Sequence, residues 1–358
     1  MTIPFEKHRI PTSDIGVSGS LTTSSASLLS VRDLSVEYRG ERTTKAVKNV
    51  NFELRKGEIL GIAGESGCGK STLAYAITNM LKHPAYITSG EVLYAQGDSG
   101  NTVDILRLEH EQLRNFRWTE ISMVFQSAMN ALNPVTSLKK QFSDIFLAHK
   151  PGMTKAERLE KSIRLLEMVG LNKNIINQFP HELSGGMRQR VVIAMALCYM
   201  PNIVIMDEPT TALDVVIQRD ILDEIIRLQK ELNFSIIFIT HDISLLLEIS
   251  DRLLIMYAGE IAEQARTEAI VSRALHPYTN GIMLSIPDLY GQRRELRGIP
   301  GMPPDLSLDI PGCPFRPRCS EAFEPCSTWP PPKIFVANEP DHFVRCHKYG
   351  SSDFMGGA

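Results

Sequence analysis

From Leu28 to Leu54 the chain alternates. The text LLSVRDLSVEY and then AVKNVNFEL sets apolar and polar residues on opposite sides at every second position, which predicts half-exposed antiparallel strands. Strand-like text recurs at Gly90–Leu93 and Val103–Ile105, a helix is expected over Leu108–Arg117, and a buried strand over Ile121–Phe125 ends at Gln126. The period then lengthens. TKAERLEKSIRLLEMVGL puts Ala156, Leu159, Ile163, Leu166 and Val169 on one helical face, with Thr154 as its cap. A helical insertion over about 127–187 is therefore expected inside an α/β pattern. After Pro201 that pattern resumes with the strand IVIM and a helix from Val215 to Leu232 that faces Ile221, Leu222, Ile225, Ile226, Leu228 and Leu232 inward. The strand SIIFIT then ends at His241–Asp242, and LLIMYAGEIAEQA follows. Strands alternating with helices predict a parallel sheet, so the fold class is α/β.

The ends differ from the middle. Residues 1–27 are rich in Ser, Thr and Gly and are expected to form a flexible tail. Beyond Arg266 the chain turns Pro-rich, and 11 prolines between Pro300 and Pro340 argue against much helix or sheet there. Three units result: a tail at 1–27, a core at 28–265, and an extension at 266–358. Within the core, Ser127–Lys150 carries Met129, Leu132, Val135, Leu138, Phe142, Ile145 and Phe146 among few charges. It reads equally as a partner-binding groove or as internal packing.

Composition narrows the partners. Hydrophobic content of 43% and charged content of 22% over 358 residues describe an ordinary globular protein. A net charge of −3 gives no field that would gather nucleic acid. No apolar run approaches bilayer length and no basic-then-apolar leader opens the chain, so a cytosolic protein is expected.

The chemistry starts in GEILGIAGESGCGKSTL, Gly57–Leu73. An apolar run stops at Gly64, a Gly-punctuated turn reaches Lys70–Ser71, and a helix-like face follows. This G-x-x-x-x-G-K-S spacing between strand and helix is a phosphate loop. Gly64, Gly67 and Gly69 let successive N–H groups face one concavity, at the positive end of the next helix. Lys70 can then reach the β- and γ-phosphates, and the Ser71 hydroxyl can ligate Mg²⁺.

Three more strands end in polar residues: Gln126, Asp207–Glu208 and His241. Asp207 is placed to hold Mg²⁺ through water and Glu208 to act as general base. An acid before Pro209–Thr210 also reads as a helix cap, Gln126 as an edge glutamine and His241 as a structural histidine. Their convergence beside one phosphate loop favours the functional reading. A second phosphate-binding helix start, LSGGMRQR, opens with Ser184, Gly185 and Gly186. Two domains arranged head to tail would let each site use one half from either copy.

In this order, Gly64–Ser71, Gln126, LSGGMRQR, IVIMDEP, TTALD and THD resemble the ATP-binding-cassette nucleotide-binding domains, over about residues 28–265. The resemblance implies a P-loop core with an antiparallel β subdomain and a helical insertion, working as two subunits that sandwich two ATP molecules. It implies nucleotide contacts from Tyr38 (stacked on adenine), Gly64, Glu65, Ser66, Gly67, Cys68, Gly69, Lys70, Ser71, Thr72 and Asp214, and from Ser184, Gly185 and Gly186 across the dimer. Ser71, Gln126 and Asp207 would serve Mg²⁺; Glu208 would be the base and His241 the γ-phosphate clamp, with Gln126 beside them.

Residues 268–347, with ALHPYTNGIMLSIPD, GIPGMPPDL and CPFRPRC, resemble the C-terminal extension of peptide-importer ATPases, and FPHELSGGMRQRVVIAMAL is similar to the D-type subunits of dipeptide and oligopeptide permeases. Relatives with the same extension import nickel or oligosaccharides. Implied partners are two integral membrane permease subunits, a second, similar ATPase subunit and, indirectly, an extracytoplasmic solute-binding protein. The implied place is the cytoplasmic face of the membrane. The rivals are a soluble cassette ATPase outside transport and a nucleotide-gated module without turnover.

Of six cysteines, Cys68 and Cys198 stand alone, while Cys313, Cys319, Cys326 and Cys346 share a spacing of C-x5-C-x6-C-x19-C. In a reducing compartment this cluster points to metal rather than disulfides. Zinc usually takes a shorter knuckle, whereas four thiolates suit an iron–sulfur cluster. Some members of the resembling family hold [4Fe–4S] here; zinc and free thiols stay open.

Overall fold

The alternating N-terminal text becomes β1 (Ser27–Arg39) and β2 (Thr43–Arg55), paired antiparallel. Their inward residues Leu29, Val31, Leu34, Val36, Val47, Val50, Phe52 and Leu54 are all buried, so the period-2 pattern reports a half-covered sheet. The chain is seen here as a computed structural model that describes residues 27–97, 100–126, 131–211, 213–286 and 298–350. The expected tail lies outside these residues but for Ser27, as do 127–130 of the insertion and 287–297 and 351–358 of the extension.

Next come β3 (Ile59–Ala63), α1 (Lys70–Ile77), β4 (Ala85–Gln96) and β5 (Asn101–Asp104). β4 and β5 complete a four-stranded antiparallel sheet in the order β2-β1-β4-β5. Then follow α2 (His110–Thr119), β6 (Ile121–Val124), α3 (Leu138–His149), α4 (Lys155–Met168) and α5 (Gly185–Ala196). Thr154 caps α4 in a reciprocal box with Glu157. In α3, Leu138, Phe142 and Phe146 turn inward and are fully buried. Internal packing therefore takes most of the apolar text of Ser127–Lys150, leaving Val135 and Leu147 exposed.

The core closes with β7 (Ile203–Asp207), α6 (Val215–Leu232), β8 (Ser235–Ile239), α7 (Ile243–Ile249), β9 (Arg252–Tyr257) and β10 (Glu260–Arg266). The extension adds α8 (Thr267–Arg273), α9 (Pro277–Ser285), α10 (Pro325–Thr328), β11 (Lys333–Val336) and β12 (Glu339–Arg345). One eight-stranded sheet runs β11-β12-β10-β9-β3-β8-β7-β6. Strands β9, β3, β8, β7 and β6 are parallel, and every residue of β3, β7, β8 and β9 is buried. Continuous apolar strands are what a parallel sheet covered on both faces requires.

This order decides where the chemistry falls. Strand β8 separates β3 from β7, and β6 borders β7, so Ala63, Val124, Asp207 and Ile239 end on the same edge of the sheet. Ligands of open α/β sheets bind beyond that edge.

The extension is not a loose appendage. β12 pairs antiparallel with β10 and carries Asp341 into Arg55, Arg252 (3.7 Å) and Arg266 (3.6 Å). Arg252 is itself buried against Glu58 at 3.1 Å. Strand content here is more than the proline count suggested: Pro340 sits at the second position of β12 and Pro330–Pro332 stop just before β11, where a missing N–H is tolerated. Among the described residues, no helix is long and apolar enough to cross a membrane.

Candidate active site

The turn after β3 is built on left-handed glycines. Gly64 has φ +152° and Gly69 φ +106°. A Cβ at Gly64 would lie 2.3 Å from the Met256 carbonyl oxygen, and one at Gly69 2.2 Å from that of Ala46. Only glycine fits either place. Gly67, at φ +80°, faces open space instead. Ser66 is exposed while Cys68 is buried under the loop. Burial pushes the Cys68 thiol pKa up. Lys70 is buried, and its ammonium donates to the carbonyls of Gly64 (2.6 Å) and Glu65 (2.9 Å). Ser71 and Thr72 follow Lys70 in the first turn of α1, and the Thr72 hydroxyl lies 3.1 Å from that of Tyr38. Tyr38 lines an apolar groove of about 440 Å³ with Tyr75, Met80, Leu81, Lys82, Ala85 and Phe125.

Asp207 is fully buried, and neither carboxylate oxygen has a well-formed hydrogen bond. Burial drives its pKa up. The Ser71 hydroxyl, close by, and the Lys70 charge pull the other way. A carboxylate left in this state has a strong reason to meet a cation. The acid and the Ser71 hydroxyl are hard oxygen donors, which fit Mg²⁺.

Glu208 lies one residue past the strand in a left-handed conformation, φ +48°. Its amide donates to the Ile239 carbonyl of the neighbouring strand at 2.8 Å. Its carboxylate accepts from Gln126 Nε2 (3.2 Å) and the Thr211 hydroxyl (3.0 Å), and faces His241 Nδ1 at 3.1 Å. Burial opposes ionisation of Glu208, but the bonds from His241 and Thr211 outweigh it and hold its pKa below the usual range. Glu208 is therefore an acceptor-only carboxylate at neutral pH. Three strand ends, from β6, β7 and β8, thus meet at one side chain. Thr211 was missed from the sequence, although it stands three residues after Glu208 in the same motif.

Four other candidates sit at the starts of two further helices, α5 and α6. Ser184 caps α5, accepting from the Met187 amide at 3.3 Å, and Gly186 packs where a Cβ would come 2.7 Å from Ile217. Asp214 caps α6 through the Ile217 amide at 3.0 Å, followed by exposed Val215 and Val216. Gly185 is half-buried at the first turn of α5. Among the described residues, no hydrogen bond joins Ser184–Gly186 to the phosphate loop.

The four clustered cysteines do converge in part. The Cys313 amide donates to the Cys326 carbonyl at 2.9 Å. Burial pushes the thiols of Cys313 and Cys346 up to about 11; Cys326 adds to both, and Cys346 also adds to Cys313. Cys319 is raised by burial and by Cys326 as well. Among the described residues, however, no three His, Cys, Asp or Glu side chains gather tightly enough for a single metal ion.

Comparison with known proteins agrees with this geometry. A family model described as "ABC transporter" matches residues 47–211, and one described as "Oligopeptide/dipeptide transporter, C-terminal region" matches residues 262–326. The chain is similar to the oligopeptide transport ATP-binding protein OppD of Salmonella typhimurium, 41% identical over 324 residues, covering 90% of this chain and 93% of that one. It is also similar to the dipeptide transport ATP-binding protein DppD of Bacillus subtilis, 41% identical and covering 89% and 94%. Among solved structures it matches a dimeric post-hydrolysis state of the ATP-binding cassette MJ0796 bound to ADP and Pi. The TM-score is 0.58 at 30% identity, over 67% of this chain and 98% of that one.

Proposed function

We propose a function from one established premise: the chain belongs to the ATP-binding-cassette transporter ATPases. It is the ATP-hydrolysing subunit that powers import of peptides by a membrane permease, from the cytoplasmic face of the membrane. The observation that carries the hydrolytic part is the meeting of Gln126, Thr211 and His241 on Glu208, beside the buried carboxylate of Asp207, which has no well-formed hydrogen bond. What supports the peptide class is likeness to OppD and DppD over nine-tenths of the chain, extension included. The core spans 28–265 and the extension 266–358.

Within this reading, the phosphate-loop residues from Gly64 to Thr72 cradle the nucleotide phosphates, and Tyr38 and its groove take the adenine. Ser71, Asp207 and Gln126 would hold Mg²⁺, which when bound neutralises charge on the β- and γ-phosphates. Glu208 accepts a proton from the attacking water, and its low pKa keeps it ready to do so. His241 and Gln126 fix the direction of that carboxylate, and His241 also faces the γ-phosphate. Ser184, Gly185 and Gly186 serve the site of a partner ATPase, and Asp214 adds a nucleotide contact. That partner is a different, similar chain, and two integral membrane subunits complete the assembly.

The four cysteines form a [4Fe–4S] site in this reading. Four cysteine thiolates are the ligand set such a cluster takes, and their spacing lacks the short knuckle usual for zinc.

Tagged protein should copurify with two membrane subunits and a second ATPase mass, and vesicles carrying the assembly should accumulate labelled peptide when supplied with ATP. Accumulation of sugar or nickel without peptide would overturn the substrate class. Absence of any membrane partner would overturn transport itself.

A further inference from the structure

Glu65 is gripped at three places. Its amide N–H donates to the Tyr278 hydroxyl at 2.9 Å, and its carbonyl accepts from Lys70 Nζ at 2.9 Å. Its carboxylate takes a two-pronged bond from Arg318, Nη1 to Oε2 at 2.7 Å and Nη2 to Oε1 at 2.8 Å. Lys70 belongs to the phosphate loop, but Tyr278 and Arg318 belong to the extension, 213 and 253 positions away.

The Arg318 side chain is only 5% exposed. Its Nε donates to the Pro300 carbonyl at 2.8 Å, and its guanidinium carbon lies 5.8 Å and 5.9 Å from the ring centres of Tyr257 and Phe315. Tyr257, Tyr278 and Phe315 pack on one another at 4.6–5.5 Å and are buried. The arginine is thus fixed in direction before it reaches the loop.

We propose that Arg318, seconded by Tyr278, is a positioning residue of the nucleotide site: the extension pairs Glu65 so that the phosphate loop receives phosphate without an uncompensated carboxylate on the same turn. The inference rests on Gly64–Ser71 being the nucleotide loop. A bare carboxylate there repels an incoming polyphosphate, and in a half-buried setting that repulsion is poorly screened. The charge of Arg318 cancels it, and the fork keeps Glu65 turned to the extension. Since Arg318 stands between Cys313 and Cys319, the order of the cysteine segment and the charge of the loop are set together.

The test measures binding of a fluorescent ATP analogue with Mg²⁺ to the full-length chain. Arg318→Met should raise Kd about tenfold, and Glu65→Gln, which removes the carboxylate but keeps the loop backbone, is measured beside it as the reference for the double variant. The double variant should regain most of the lost affinity, which loss of a merely structural contact would not allow. Wild-type affinity in Arg318→Met, or a double variant no better than Arg318→Met, overturns the proposal. Lys70→Ala separates the two readings: if it binds like wild type, the loop assignment itself fails, whereas its loss with Arg318→Met unaffected sinks only the role of Arg318. Should Arg318→Met not fold, Arg318→Lys keeps the charge without the fork. It should bind several-fold more weakly and be relieved by Glu65→Gln; no relief counts against the proposal.

Discussion

His241 Nδ1 lies 3.1 Å from Glu208 Oε1, and the two residues come from the ends of adjacent strands. Glu208 reaches this contact only by leaving the strand with φ +48°, a conformation that costs a non-glycine residue about 1 kcal/mol or more. Facing a carboxylate, Nδ1 carries the ring proton, which fixes the tautomer and leaves Nε2 for another partner. The strain and the contact together aim one carboxylate.

Glu208→Gln should therefore keep ATP binding and lose turnover by about 10² or more, the scale of general-base loss. Single-turnover hydrolysis beside nucleotide-binding measurements checks this. Near-normal hydrolysis by that variant would remove Glu208 from the role.

Asp207 predicts two opposite effects of one change. Its buried oxygens have no well-formed hydrogen bond, and burial raises its pKa against the pull of the nearby Ser71 hydroxyl and Lys70 charge. Asp207→Asn removes a buried charge, so the nucleotide-free protein should melt at a higher temperature. The same variant should need about 10–100-fold more Mg²⁺ for half-maximal ATPase activity. An unchanged Mg²⁺ requirement would take Asp207 out of the metal site.

Much of this site was legible because its residues are local punctuation. Strands β7 and β8 are short apolar runs that stop at a polar residue, and α6 starts and ends where its period does. The contact between Glu65 and Arg318 carries no such signal. Glu65 looks like a variable loop residue, Arg318 like spacing between cysteines, and only the tertiary fold closes the 253 positions between them. The hairpin of β11 and β12 escaped for a related reason. Proline density alone does not say where the prolines fall: Pro330–Pro332 and Pro340 stand at strand starts, where they break no ladder bond, and the others lie outside β11 and β12. In Ser127–Lys150 the apolar content was plain, but periodicity cannot say whether Phe142 and Phe146 face their own protein or another.

A pair of histidines should make docking of the extension pH-dependent. His342 is buried between Glu263 (3.0 Å) and Glu339 (2.7 Å). Burial opposes its charge, but those bonds prevail and raise its pKa. Its stabilisation is then complete below the unfolded value of about 6.5 and is lost as pH rises through the folded pKa. His276 runs the other way: burial pushes it down to about 4, and its Nδ1 accepts the Tyr278 amide only when neutral. That contribution is present above about pH 6.5 and fades as pH falls toward 4. Melting temperature should peak between these limbs. His342→Gln should flatten the alkaline limb and leave the acid one; an unchanged alkaline limb would exclude His342.

The last prediction concerns what keeps Arg318 in place. The segment from Cys313 to Cys326 contains one short helix, α10, one 3-10 turn at Arg316–Arg318, and few buried apolar side chains beyond Phe315. So little packing leaves it dependent on a ligand for order, since metal binding is then folding energy. The thiols of Cys313, Cys319 and Cys346, raised by burial, are poor thiolates on their own, and a cluster would hold them deprotonated. Anaerobically purified protein should be brown with about four irons per chain. Replacing Cys319 by Ser should bleach it, open residues 313–326 to protease, and weaken nucleotide binding by withdrawing Arg318 from Glu65. One equivalent of zinc without visible absorbance would overturn the iron assignment. Bleaching with unchanged proteolysis and nucleotide affinity would show that the segment holds Arg318 without its metal.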